Sequence, residues 1–244
     1  GNPCLQAPPN ICTEYAVYTT TITLPARANG YVITYQRCCR NATISNIPTP
    51  DDWGSTLVAR IPPNDQCNSS PQWNSLPPIV LCNQENLSIP SSATDPNGDS
   101  LHYVLCSPLH GGGKDNDTGF NSPIPNPPAP PPYAPIGFLN PATASNPIPG
   151  NPSLSINGAT GALTGRLTAN GQYVLTICVE EWRNGALLNT IRRDYQFNVT
   201  SCQANIVAKI VSEVDDPTQI CIGATVPFRH QSINASTFYW DFGD

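Results

Sequence analysis

The chain has 244 residues, which is enough for about two domains of ordinary size or three small ones. Its net charge of −6 and its lack of a basic stripe exclude an ordinary nucleic-acid-binding surface. It also lacks an apolar run of 18 residues, so we expect no membrane-spanning segment.

Cysteine is the second informative component. Ten cysteines in a chain with only 11% charged residues predict disulfides, and therefore an extracellular or cell-surface location. A zinc site would need paired Cys-x-x-Cys or histidine spacings, and the sequence contains neither.

Short alternating apolar runs bounded by Pro, Gly and Asn predict an all-β fold. The first runs, Tyr15–Leu24, Gly30–Arg40 and Ser55–Ile61, are rich in Thr, Tyr, Val and Ile and predict three strands. Pro77 and Pro78 cannot donate to a strand ladder and mark a boundary. We therefore expect a partial immunoglobulin-like β domain over 1–77.

A second set of seven predicted strands follows, the number expected of an immunoglobulin-like sandwich. They are Ile79–Cys82, Asn86–Pro90, Leu101–Cys106, Ser153–Ile156, Gly161–Leu167, Gln172–Glu181 and Tyr195–Thr200. The acidic turn Asp95–Tyr103, the glycine-punctuated hairpin Ile156–Gly165 and the alternating strand Gly171–Val179 resemble a cadherin-type sandwich in that order. We expect such a domain over 78–201.

A long proline-rich insert, 107–152, interrupts this domain. A structureless loop of that length is unusual inside a compact domain. It is either an ordered polyproline arm held against the sandwich by Tyr133 and Phe138, or a ligand-binding loop.

The last segment, 202–244, contains only three strand-like runs, Ile206–Val214, Thr225–His230 and Thr237–Trp240. Three strands cannot close a sandwich. We expect the N-terminal part of a domain that is completed by more chain or by a neighbouring subunit.

Several motifs carry a family likeness. Tyr239-Trp240-Asp241-Phe242-Gly243-Asp244 resembles the signature of polycystic-kidney-disease (PKD) domains, which are immunoglobulin-like modules of surface proteins. Arg37-Cys38-Cys39-Arg40-Asn41, the Asp95–Tyr103 turn and Arg192–Val199 resemble large PKD-containing surface proteins of gliding and biofilm-forming Bacteroidota. The resemblance implies tandem immunoglobulin-like sandwiches, type IX secretion and a longer parent protein.

The acidic turn is a candidate metal site. Asp95, Asn97 and Asp99 place three oxygen-bearing side chains at alternate positions, and calcium prefers six to eight oxygen ligands. Carbonyl groups or Glu180 and Glu181 would have to complete the shell. The alternative is an Asx-turn, in which the side chains bond their own backbone. A second acidic stretch, Asp115–Asp117, is a weaker candidate.

The faces of two strands predict one disulfide. Leu101, Tyr103 and Leu105 share an apolar face that leaves Cys106 on the other side, and the alternation of Tyr173–Val179 leaves Cys178 opposite in the same way. The cadherin resemblance makes these strands neighbours, so we expect a Cys106–Cys178 bridge. Proximity in sequence suggests Cys4–Cys12 and Cys202–Cys221, while Cys38, Cys39, Cys67 and Cys82 have no predicted partner.

Modification and sugar binding are further candidate properties. Asp99-Ser100-Leu101 and, loosely, Asp117-Thr118-Gly119 resemble the Asp-Ser/Thr-apolar acceptor of O-glycosylation in Bacteroidota, which implicates Ser100 and Thr118. Four aromatic residues could form a sugar platform or serve as core and loop anchors. They are Trp53, Tyr103, Tyr133 and Trp182.

We expect no enzyme. The sequence has no Gly-x-Ser-x-Gly, His-Glu-x-x-His or phosphate-cradling Gly-Lys-Ser/Thr motif. Glu180 and Glu181 are adjacent on one strand, so their side chains point to opposite faces and cannot act as a catalytic pair. Arg192, Arg193 and Asp194 are expected to form surface ion pairs.

The expected function is that of an extracellular structural and adhesive segment in a stalk or filament protein. Its expected partners are cell-surface or matrix glycans or proteins, or copies of itself, and calcium is the candidate cofactor. The alternatives are a carbohydrate-binding module built on the 107–152 insert, and a filament subunit assembled by strand exchange.

Overall fold

The fold is all-β, as a computed structural model shows, and the predicted all-β class is confirmed. The structure describes residues 16–63, 67–78, 80–115, 119–125, 129–202, 210–212, 228–230 and Tyr239. The chain forms two compact units. One comprises Glu14–Ser201, and the other comprises Gly1–Thr13 with Cys202–Asp244. The larger unit spans most of the first two expected domains.

Fifteen strands and one short 3-10 helix (Pro50–Asp52) are present in the described residues. The strands are β1 (Tyr31–Arg37), β2 (Ser55–Ile61), β3 (Gln72–Trp73), β4 (Val80–Cys82), β5 (Asn86–Pro90), β6 (Ala93–Thr94), β7 (Ser100–Cys106), β8 (Gly113–Asp115), β9 (Gly119–Ile124), β10 (Ser155–Ile156), β11 (Ala162–Arg166), β12 (Gly171–Arg183), β13 (Ala186–Thr200), β14 (Ile210–Ser212) and β15 (Phe228–His230). The ends of most predicted strands lie within two residues of the ends of an observed strand. β13 is an exception, because it begins nine residues before the predicted start at Tyr195.

Two sheets enclose the main core of the larger unit. One has the strand order β4-β13-β12-β7 and the other β10-β11-β5. Inward residues of both sheets pack into a single buried cluster, among them Ile89, Leu163, Ile177 and Phe197. This packing follows from alternation, because every second residue of a strand points to the same face.

The outer face of the four-stranded sheet is also covered. Val174, on this face of β12, packs with Ile44, Ile47 and Ile136 in a second buried cluster. The cover comes from the segment that connects β1 to β2 and from the 107–152 insert. This is why the central part of β12 is buried on both faces.

The proline-rich insert is therefore an ordered arm over its described residues. Its backbone is hydrogen-bonded between His110 and Ala134 and between Ile136 and Pro108. The Tyr133 hydroxyl donates to Thr34 Oγ1 at 3.2 Å, and Phe138 packs against the second cluster. Both aromatic residues act as the anchors expected of them.

A close backbone approach joins the arm to the β1–β2 region. The N–H of Gly54 donates to the carbonyl of Gly112 at 2.9 Å. A Cβ atom on Gly54 would collide with the backbone of Gly111, and a Cβ on Gly111 would collide with Ser55. Glycine is therefore required on both sides of this contact.

One predicted strand is wrong in the described part of its range. Residues 16–24, within the predicted strand Tyr15–Leu24, form no strand and are exposed. The stretch is rich in residues that favour strands, but this preference depends on packing against neighbours that the stretch lacks here.

The smaller unit is described only in part. β14 pairs with β15 in antiparallel fashion, with Val211 opposite Arg229. Of the PKD-like motif Tyr239–Asp244, only Tyr239 is among the described residues.

Candidate functional site

The acidic turn is ordered by its first aspartate. Asp95 Oδ1 accepts hydrogen bonds from the N–H of Asn97 at 2.8 Å and from the N–H of Asp99 at 3.0 Å. Gly98 completes the turn with a φ of 80°, in the left-handed region that favours glycine. The turn therefore has the Asx geometry, and one oxygen of Asp95 is committed to it.

Strand pairing brings a third carboxylate to this turn. β12 runs antiparallel to β7, so that Glu181 lies opposite Leu101 at the start of β7. A register shift in the pairing of β12 with β13 follows directly, between Glu181 and Trp182. Carboxylate oxygens of Asp95, Asp99 and Glu181 lie within 4.8 Å of one another.

Glu181 is fully buried, with 0% of its surface exposed. Among the described residues, neither of its carboxylate oxygens has a hydrogen-bond partner, and Asp95 Oδ2 has none either. Burial raises the pKa of Glu181. The nearby Asn68 side chain lowers it, and the Asp95 and Asp99 carboxylates raise it further.

Arg183, the last residue of β12, binds the turn directly. Its Nε donates to Asp99 Oδ1 at 2.7 Å and its Nη2 to Asp99 Oδ2 at 2.6 Å. These bonds hold the pKa of Asp99 below its usual range. Arg183 also donates to Asn68 Oδ1 at 2.8 Å and to the Cys67 carbonyl at 3.2 Å. It thereby ties the 67–70 segment to the turn.

The other candidates around the turn are used differently. Asn97 Oδ1 accepts a hydrogen bond from the N–H of Ser69 at 2.7 Å. Glu180 points to the opposite face from Glu181, where His102 and Trp182 each contact it at 3.3 Å. Sequence reasoning named Glu180 and Glu181 as equal candidates, and the structure brings only Glu181 to Asp95 and Asp99.

A buried ion pair lies on the outer face of the four-stranded sheet. Arg40 Nη2 donates to Asp194 Oδ2 at 2.5 Å, and the two side chains are only 6% and 10% exposed. Ser55 and Thr176 donate their hydroxyls to the same carboxylate at 3.1 and 2.8 Å. The expectation of a surface ion pair at Asp194 is therefore wrong, because both side chains are buried. The partner, Arg40, lies 154 residues away in the sequence.

The neighbours of Asp194 also differ from expectation. Arg193 lies over the ring of Trp73 at 4.8 Å. Arg192 is half-buried, and its Nε has no hydrogen-bond partner among the described residues. Neither arginine forms an ion pair in the described part of the chain.

Comparison with protein-family models, with curated proteins and with solved structures gives no match. Within the described ranges, no helix has the length and apolar character needed to cross a membrane.

The disulfide expected between Cys106 and Cys178 is present. Cys106 and Cys178 form a disulfide with a Cα–Cα distance of 6.0 Å. Cys38 and Cys39 are bonded to each other, and Cys82 and Cys202 also belong to disulfides. Cys67 is free and exposed. Cys4, Cys12 and Cys221 lie outside the described residues, and so do the two pairings proposed from proximity.

The candidate modification sites can be placed only in part. Ser100 is exposed at the first position of β7. Thr118 lies outside the described residues, as do Asn116 and Asp117 of the second acidic stretch.

Three of the four candidate platform aromatics make packing or hydrogen-bond contacts within the fold. The buried Tyr103 bonds through its hydroxyl to the backbone of Ala93, Trp53 packs edge-on against His110 at 4.5 Å, and Trp182 contacts Glu180. Tyr133 differs because it also lines a cleft of about 460 Å³.

This cleft lies between β2, the proline arm and the start of β13. It is lined by Val58, Arg60, Leu109, Pro131, Pro132, Tyr133, Leu187, Leu188, Asn189, Thr190 and Arg192. The lining thus contains two arginines and no acidic residue. Burial lowers the pKa of Arg192, and the Asp194 carboxylate partly opposes this shift.

Proposed function

We propose that this chain is a structural and adhesive segment of a multi-domain surface protein, of the stalk or filament type. The observation that carries the proposal is the locking of the sandwich across its outer face. The Arg40–Asp194 pair and the Cys106–Cys178 bridge join segments that are 154 and 72 residues apart. Links of this kind resist local opening, which is the property that a load-bearing module needs.

An extracellular location follows from the same proposal. Disulfides persist in oxidising environments, and three or more cysteine pairs are unusual in cytosolic proteins. The sequence resemblance to Bacteroidota surface proteins adds export by type IX secretion and a role in gliding or biofilm attachment. Glycans, surface proteins or copies of the chain itself are the proposed partners, and no catalytic role is proposed.

Immunogold labelling of intact source cells tests this function. An antibody raised against the purified chain should label extended structures beyond the cell surface, and the purified chain should compete with cells for attachment. Label confined to the cell interior, or attachment that the purified chain does not reduce, would count against the proposal. A chain that is released from the cells would be labelled only in the medium, and this result would also contradict the proposal.

Carbohydrate binding is the second candidate function, and the arginine-lined cleft favours it. Arg60 and Arg192 supply positive charge in a lining that contains no carboxylate, while Pro131, Pro132 and Tyr133 supply an apolar wall. Guanidinium groups bind carboxylates and sulfates through charge-assisted hydrogen bonds. The chemistry therefore fits an acidic saccharide better than a neutral one.

A glycan array containing uronate and sulfated polysaccharides distinguishes the two functions. If the cleft binds sugar, acidic glycans should bind and Arg192→Gln should weaken binding about 10- to 100-fold, as expected for a lost hydrogen bond to a charged group. Arg27→Gln is the matched control, because Arg27 is exposed, packs on Tyr31 and is absent from the lining. Equal binding by both variants would exclude this cleft.

A further inference from the structure

The protein residues around Glu181 form an unfavourable environment for a carboxylate. It is fully buried, and neither oxygen has a hydrogen-bond partner in the described part of the chain. A buried carboxylate without a partner is strongly destabilising, and native proteins pair such groups or use them to coordinate metals. Either a proton or a further cation must compensate this charge.

Arg183 does not supply the compensation. Its guanidinium makes two hydrogen bonds to Asp99, one to Asn68 and one to the Cys67 carbonyl. One positive charge thus faces three carboxylates within 4.8 Å of one another, and it contacts only one of them. Asp95 Oδ2, which is buried and also without a partner, is left beside Glu181.

We propose that Asp95, Asp99 and Glu181 bind a calcium ion. Glu181 offers two unpartnered carboxylate oxygens and Asp95 offers one, while the Asp99 oxygens are shared with Arg183. These are the hard oxygen ligands that calcium prefers, and backbone carbonyls or water can complete the shell. The cluster contains no histidine or cysteine, which a zinc site would be expected to use. Magnesium keeps most of its water and rarely occupies a site formed by several carboxylates.

An ion in this position would have a mechanical effect. It would join the turn before β7 to the end of β12, and through Arg183 it would stabilise the 67–70 segment. This inference does not rest on the proposed adhesive function, because a secreted module with any other role could hold the same ion.

Calcium titration of the 244-residue chain tests the site. Isothermal titration should detect one calcium ion bound per chain at this site. At a calcium concentration 100 times the Kd, mass action should raise the Tm by about 5–10 °C for a unit of this size. Magnesium at the same concentration should raise the Tm by less than half as much. An equal response to magnesium would overturn the assignment to calcium.

Two isosteric variants locate the ion. Glu181→Gln should reduce calcium affinity at least tenfold while leaving the metal-free Tm equal to or above that of the wild type, since it removes a buried negative charge. Asp95→Asn keeps the Oδ1 acceptor that orders the turn and changes only the unpartnered oxygen, so it should fold normally and also lose affinity. Asp95→Asn therefore tests the site even if Glu181→Gln does not fold.

Glu180→Gln is the matched control, because it lies next to Glu181 on the opposite face and should bind calcium like the wild type. Absence of any heat or Tm shift in the wild type would instead mean that the cluster does not bind calcium. Wild-type affinity in both Glu181→Gln and Asp95→Asn would place calcium elsewhere. Either result would overturn the proposal.

Discussion

Replacing Arg40 with leucine should destabilise the larger unit by about 3–5 kcal/mol, because the substitution leaves the buried Asp194 carboxylate without its cation. Ser55 and Thr176 would still donate to this carboxylate, but hydroxyl groups do not neutralise its charge. For a unit of about 190 residues, the expected fall in Tm is about 6–20 °C. Differential scanning calorimetry at neutral pH measures it.

Arg37→Leu is the matched control for this substitution. Arg37 is exposed and belongs to the same Arg-Cys-Cys-Arg motif, so its replacement should change stability by no more than about 0.5 kcal/mol. Combining Arg40→Leu with Asp194→Leu should recover much of the loss, because an apolar pair of similar volume often replaces a buried ion pair at little cost. A double variant as unstable as Arg40→Leu would show that packing, rather than the orphaned charge, causes the effect.

Removing the Cys106–Cys178 bridge should produce the second large effect. The cysteines are 72 positions apart, and a loop of that length corresponds to about 4 kcal/mol in the chain-entropy account of disulfide stabilisation. The double substitution Cys106→Ala/Cys178→Ala leaves no free thiol at this position. It should lower the urea midpoint with little loss of the far-ultraviolet signal under native conditions.

Cys67→Ser provides the comparison for the disulfide experiment. Cys67 is free and exposed, so its replacement should leave the urea midpoint unchanged. A double alanine variant with the wild-type midpoint would mean that the bridge contributes nothing to the stability of the folded unit.

The elements that could be predicted from sequence are those with strong local patterns. β2 and β5 match their predicted bounds because turn residues on both sides limit short alternating runs. The pairing of Cys106 with Cys178 could be predicted because alternation assigns each cysteine to a face and the cadherin resemblance implies that their strands are neighbours. The Asx geometry at Asp95 was one of two local alternatives, and it depends on contacts only two and four residues away.

Only the tertiary structure determines the contacts between segments that are distant in the sequence. Nothing local distinguishes Glu181 from Glu180 as the partner of Asp95, since the choice depends on the register of β12 against β7. Arg40 and Asp194 lie 154 residues apart, so no sequence pattern could pair them. A local pattern can determine which way a side chain points, but the group that it meets there depends on how the whole chain folds. For that reason the turn geometry and many of the strands could be predicted from sequence, and so could one disulfide with the help of the cadherin resemblance, whereas the buried ion pair and the complete acidic site could not.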